Sequence, residues 1–271
     1  MVNSKFYEYL DKIKIWFVLC ILAIPILWTF ILAFKNRTEV ASYPPKIFFI
    51  PTLDNFIELF SRNDFLTNTF NSLIISSGST ILGLVLGVPA AFAIAWHKLQ
   101  LPATLTLFAR MVPGTLFLLP WLLMFNKIGL VGTHLVLILT HTAITLPIII
   151  WVLLPYLETL PRELVECAQM DGARIDQILH LVIIPLISSG MVVASILSFV
   201  FSWNYFLFAL VLSGINTKTA IVASFNFIGE GVTNWGALMA AAVVIALPPI
   251  ILTLLIQKRL VGGLAAGAVK G

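Results

Sequence analysis

The chain has 271 residues, 60% of them hydrophobic and only 10% charged, with a mean hydropathy of +1.03. A typical soluble domain carries about 25% charged residues, so a water-soluble globule of this length could not cover so much apolar surface, and lipid is the solvent for most of it. The formal charge of +4 comes from scattered Lys and Arg without an aromatic-interleaved basic stripe, which argues against a nucleic-acid partner.

A spanning helix needs about 20 mainly apolar residues. Six stretches meet that length, at roughly 15–34, 69–96, 103–125, 135–155, 186–212 and 236–256. The expected fold is an all-α integral membrane protein, a single domain over 1–271 with six transmembrane helices. The first apolar stretch follows Lys5, Lys12 and Lys14 and stops at Lys35-Asn36-Arg37. It is too long for the apolar core of a cleaved signal, so a retained transmembrane helix is expected. Residues 3–14 place Phe6, Leu10 and Ile13 at helical spacing, which suits either a short surface helix or a frayed polar terminus.

In the second stretch Gly83, Gly87, Ala91 and Ala95 recur every four residues, a small-residue ridge that lets helices approach closely in lipid. Pro113, Pro120, Pro147, Pro248 and Pro249 interrupt later stretches. Such prolines are tolerated where neighbours satisfy the freed carbonyls, and they permit bends. Arg110 lies inside the third stretch. Its side chain either snorkels back to the headgroups or faces a cavity and favours an anionic solute.

With both termini on one face, that face holds Lys5, Lys12, Lys14, Lys98, Arg162, Arg174, Lys258, Arg259 and Lys270. The other face holds Lys35, Arg37, Lys46, Arg62, Lys127 and Lys218. The bias favours cytoplasmic termini and a cytoplasmic 156–185 loop. Cys20 and Cys167 are too far apart in kind and place for a disulfide framework. The dispersed His97, His134, His141 and His180 suggest no metal site.

The 156–185 loop reads as an ordered helix–turn–helix. Pro161 suits a first helical turn, Glu163 to Ala168 continue a helix, and Asp171-Gly172 supplies a turn. Arg174 to Leu181 can form a second short helix before Pro185. An ordered, charged helical hairpin suits a protein partner; lying on the lipid surface is the plainer use.

This loop resembles the coupling loop of ABC importer permeases. The family pattern of Glu-Ala-Ala, three residues, Gly, nine residues, Ile-x-Leu-Pro falls here on Glu166-Cys167-Ala168, Gly172 and Val182-Ile183-Ile184-Pro185. The spacing agrees, and the departures at 167, 182 and 184 are small and apolar. Further likenesses lie at Thr52-Leu53-Asp54-Asn55-Phe56, Asn71-Ser72-Leu73, Pro89 to Ala93, Gly129-Leu130-Val131-Gly132-Thr133, Trp203-Asn204, Asn234 to Leu238 and Gln257 to Leu264. The closing Ala265 to Gly271 is similar to the tail of the smaller, six-helix permease of maltose-type carbohydrate transporters.

The resemblance implies a permease subunit in a bacterial inner membrane. Its partners would be a second homologous permease, a dimer of ATPase subunits, an extracytoplasmic solute-binding protein and the lipid bilayer. ATP and Mg would sit on the partner ATPase, with no cofactor on this chain; its own sequence has no Gly-Lys-Ser/Thr phosphate loop. Glu163, Glu166, Cys167, Ala168, Asp171, Gly172, Ala173 and Pro185 would form the ATPase-coupling surface, and Gly267 and Lys270 in the tail would reach the ATPase. For the solute path, Asn204 between Trp203 and Tyr205 is the best candidate, with Arg110; a helix-linking hydrogen bond is the plainer reading of Asn204. A sugar is the expected solute, with a polyamine, an anion or a phosphate ester as alternatives. A membrane enzyme is disfavoured because all acidic residues lie outside the apolar stretches. A secondary transporter would leave the loop unexplained.

Overall fold

The computed structural model describes residues 2–62, 64–229 and 233–268, with side chains over 8–61, 64–229 and 233–255. The described residues are helical almost throughout, with one isolated bridge between Ile228 and Thr233. Four helices are long and apolar enough to cross a membrane alone, at Glu8–Ala33, Phe65–Trp96, His134–Glu158 and Trp235–Leu255. Two bent pairs bring the number to as many as six.

The bends have local causes. The segment expected as a third span, interrupted at Pro113, is two helices, Gln100–Met111 and Thr115–Lys127, meeting at 93°. Pro113 pushes the residue before it out of the helical region, and Val112 is extended at φ −71°, ψ 121°. Further on, Ile175–Leu186 meets Ser188–Trp203 at 83°. Pro185 has no N–H for the carbonyl four residues back, and the six residues Ile178–Ile183 before it are wound as a wide π-helix. A third interruption at Asn204 to Phe206 separates Ser188–Trp203 from Leu207–Leu212. At the start of the chain, Val2–Ala33 is one continuous helix, so residues 3–14 form no separate surface element.

Two compact units emerge. The first comprises residues up to 65 together with 223–247. Its centre is Asn55, whose amide donates to the carbonyls of Ala33 at 2.9 Å and Lys35 at 2.6 Å. Thr52 N–H donates to the Phe34 carbonyl at 2.8 Å, and the Phe34 and Phe56 rings lie 5.0 Å apart. Asn55 also lies directly against Gly236, where a methyl group would overlap its carboxamide. Two sequence likenesses, 52–56 and 234–238, are thereby one piece of architecture. Beside them Lys35 is 1% exposed, its Nζ donating to the Lys46 carbonyl at 2.5 Å and lying 5.1 Å from the centroids of both Trp28 and Phe49.

The second unit comprises 66–222 with residues from 248 onward. Its larger core joins Val88, Ala91, Phe92, Ile149, Leu153, Ile183, Ile187 and Ala194. The small-residue ridge packs as expected: a Cβ on Gly83 or Gly87 would fall 2.6 or 2.7 Å from Ile149. In lipid this close packing replaces the hydrophobic drive that holds soluble cores together. A smaller core gathers Ile75, Phe125, Val136, Leu137, Phe208 and Leu212.

Above that smaller core, polar side chains close the helix ends. Asn71 Nδ2 donates to the carbonyls of Asn216 and Lys218 at 2.9 and 3.0 Å. Its Oδ1 is therefore the acceptor for His134 Nε2 at 2.8 Å, which fixes the proton on Nε2. Ser72 Oγ accepts from Ala220 N at 2.9 Å. Gly132, at φ +85°, approaches Gly214 backbone to backbone and donates to the Leu212 carbonyl, and Thr133 caps the next helix.

Candidate functional site

The helix Arg162–Met170 is preceded by Pro161, which sits one position outside the first turn at φ −61°, ψ 132°. The helix is held from below: Val165 is 2% exposed and packs into the larger core with Ile178 and Ile183. Arg162 ties its start to the neighbouring helix, with Nη2 donating to the Trp96 carbonyl at 3.0 Å and the guanidinium 5.3 Å from the Trp96 ring. Around this root lies a cavity of about 520 Å³, lined by Trp96, Lys98, Gln100, Glu158, Arg162 and Val165 among others.

The opposite face is open. Glu163, Glu166, Cys167 and Met170 recur at helical spacing and are all exposed, Met170 at 81%. Neither glutamate has an ion-pair partner among the described residues. The helix ends in a turn built by three bonds: Asp171 N–H to the Cys167 carbonyl, Gly172 N–H to Gln169 and Ala173 N–H to Ala168, each at 3.0 Å. Gly172 takes φ +79°, which the turn requires and other residues resist. The returning segment starts at Arg174, whose N–H donates to Gln177 Oε1 at 2.8 Å. It exposes Ile175 at 58% and Leu181 at 74%. Pro185 is exposed, whereas Ala168 and Ala173 are half-buried under the turn. All eight residues expected on this surface lie between Arg162 and Leu186, with the three carboxylates of Glu163, Glu166 and Asp171 exposed. Of the tail positions, Lys270 lies outside the described residues, and Gly267 is described only as helical backbone.

The solute-path candidates lie elsewhere in the same unit. Asn204 is exposed in the third interruption, and its Nδ2 donates to the Val200 carbonyl within its own helix at 2.9 Å. Trp203 is 2% exposed, stacked on Phe199 at 5.6 Å. Tyr205 is half-buried, 5.6 Å from the His141 ring and 4.9 Å from Phe208. Arg110 is exposed in the last turn before the Val112 bend and makes no hydrogen bond or ion pair among the described residues.

Sequence reasoning missed a buried polar link beside these residues. Ser79 Oγ donates to Ser202 Oγ at 2.8 Å, and Ser202 Oγ lies 2.9 Å from His141 Nδ1. The signal was present: a histidine inside an apolar stretch is costly unless it has partners. His141 meets that cost in part through this link, which ties it to Ser202.

A model of the family described as "Binding-protein-dependent transport system inner membrane component" matches residues 83–265. The trehalose transport system permease protein SugB of Mycobacterium tuberculosis is 34% identical, the match covering 99% of this chain and 98% of that one. The trehalose/maltose transport system permease protein MalG of Thermococcus litoralis is 32% identical, covering 91% of each. A chain from the crystal structure of a bacterial ABC transporter involved in the import of the acidic polysaccharide alginate superposes with a TM-score of 0.78. That match has 18% identity and covers 94% of this chain and 97% of that one, a likeness of fold. The matches run through the exposed helix–turn–helix and both compact units, and the chain belongs to the family of inner membrane components of binding-protein-dependent transport systems.

Proposed function

We propose that this chain is one permease subunit of an ATP-driven, binding-protein-dependent importer and forms half of the translocation path for a carbohydrate. The observation that carries the reading is the exposed acidic face of Arg162–Met170, fixed to the core on its other side. A partner ATPase seats on that face. Glu166 supplies the anchoring charge, Glu163 and Asp171 extend it, and Cys167, Ala168, Gly172 and Ala173 allow close approach, with Pro185 closing the loop. ATP binding, with its Mg, occurs on the partner; closure of the ATPase dimer moves the seated helices and biases the path between inward- and outward-facing states. Gly267 and Lys270 extend the contact at the tail.

The remaining expectations fit this frame. In this reading the chain crosses six times, the fifth crossing beginning after the 156–185 loop, and the Lys and Arg bias puts both termini and that loop in the cytoplasm. A second permease completes the path, and a solute-binding protein delivers to it from the other side. Carbohydrate is favoured because relatives carry the names of trehalose, maltose, melibiose and α-glucoside systems. Asn204 offers an exposed amide next to an aromatic ring, a combination suited to sugar hydroxyls and C–H faces. An anionic solute is the second reading, supported by Arg110, whose guanidinium has no partner among the described residues.

Affinity purification of the tagged chain from its host in mild detergent, followed by mass spectrometry, tests this. Recovery of an ATP-binding subunit and a second permease is expected. Recovery of the chain alone, under conditions that preserve other membrane complexes, contradicts the importer reading and favours a self-contained transporter.

A further inference from the structure

The interruptions in two different helices meet at one side chain. Gly114 belongs to the Val112 to Gly114 break, and Tyr205 belongs to the Asn204 to Phe206 break. The Tyr205 hydroxyl rests against Gly114 so closely that a methyl group there would overlap it. Phe208 lies 4.9 Å from Tyr205 on one side and 4.9 Å from Trp121 on the other, so the ring is packed between both broken segments.

Behind Tyr205 stands His141, 1% exposed, its ring edge-on at 68° and 5.6 Å away. His141 is itself fixed. Its Nδ1 shares a hydrogen bond with Ser202, two residues before the break, and Ser202 is held by Ser79 from a third helix. Its Nε2 is buried without a hydrogen-bond partner among the described residues. An unpartnered buried polar atom is destabilising, so an apolar residue of similar size would be the more stable occupant if His141 only filled space. What the imidazole supplies is orientation: one nitrogen fixes the end of Ser188–Trp203, and the ring sets the face of Tyr205.

We propose that His141 is a positioning residue for solute passage, acting through Tyr205 at the point where the two broken helices meet. This rests on the permease reading above. Asn204, exposed on the adjacent position, and Tyr205 are presented to the path in one geometry only while His141 holds the break.

The test is a double-mutant cycle on the assembled transporter in membrane vesicles, with labelled trehalose and maltose as probes and uptake normalised to assembled complex. His141→Leu and Tyr205→Ala are each expected to lower uptake about tenfold. The double variant should fall about tenfold as well, because groups acting through one another are not additive. His141→Asn, which keeps a hydrogen-bonding group toward Ser202, should recover a large part of the loss. Gly114→Ala, which displaces Tyr205 without touching His141, should reproduce it. Losses that multiply to about a hundredfold, full uptake by His141→Leu, or a loss explained entirely by reduced assembly would overturn the proposal. Absence of uptake of both sugars by the wild-type complex excludes trehalose and maltose as its solutes, and the same cycle is then read with labelled melibiose and α-glucosides, with the same outcomes deciding it.

Discussion

Asn71 and Glu166 look alike in the sequence, each a polar residue in a short recognisable pattern, yet the chain treats them oppositely. Asn71 spends every hydrogen-bonding group on its own chain, two carbonyls and one imidazole, and is 4% exposed. Glu166 stands on a helix whose far side is locked by Val165 and Arg162, and its carboxylate has no partner among the described residues. Saturation marks the first as architecture. An exposed, unpaired carboxylate on a rigid support is what makes the second the proposed place for another protein. The same distinction separates Asn55, held by Ala33 and Lys35, from Asn204, which makes one bond within its own helix and is exposed.

Substitutions can break this contrast, and the largest effect is expected at the saturated site. Asn71→Leu strands the Asn216 and Lys218 carbonyls and the His134 imidazole, a loss on the order of 3 kcal/mol. Thermal unfolding of the purified chain should show it, along with reduced abundance in the membrane. Glu166→Lys should behave the other way: stability within about 0.5 kcal/mol of wild type, with retention of the ATPase partner during purification reduced more than tenfold. A stability loss at Glu166 comparable to that at Asn71 would erase the contrast.

Smaller effects sharpen it. A Cβ at position 172 meets nothing within 4 Å, so the cost of Gly172→Ala is backbone strain at φ +79°, about 1–2 kcal/mol. Gly172→Asn should cost visibly less, because Asn tolerates that region; equal costs would indicate a steric cause. Arg110→Gln leaves uptake of a neutral sugar unchanged if the side chain only reaches headgroups, and lowers uptake of an anionic one if it lines the path. The smallest effect belongs to the exposed Arg174–Asp176 pair at 3.2 Å. Arg174→Ala should change stability by less than about 0.5 kcal/mol, measured in the same unfolding assay.

Much of this was legible from residue pattern alone. Apolar length located the helices Phe65–Trp96, His134–Glu158 and Trp235–Leu255 within a few residues, because in lipid the backbone must satisfy itself within each helix. The turn at Asp171-Gly172 and its flanking helices were readable for the same local reason. The bends were only partly so. Pro113 and Pro185 announce an interruption, but the angles of 93° and 83° are set by what the freed ends pack against. The winding of Ile178–Ile183 and the break at Asn204 have no local signature strong enough to find. Lys35 and His141 were missed because their meaning depends on partners 11 and 61 residues away. In a sequence they are a lone cation at the end of an apolar stretch and a lone histidine within one.

The claim that the acidic helix is a protein-docking surface has a reporter already in place, since Cys167 is exposed on the same face as Glu163 and Glu166. A photoactivatable cross-linker attached to Cys167 in a Cys20→Ser background, activated in native membranes, should yield one dominant adduct with a cytoplasmic ATP-binding subunit. That adduct should be lost on Glu166→Lys. Adducts confined to lipid or to a second copy of this chain, unaffected by Glu166→Lys, would contradict the account.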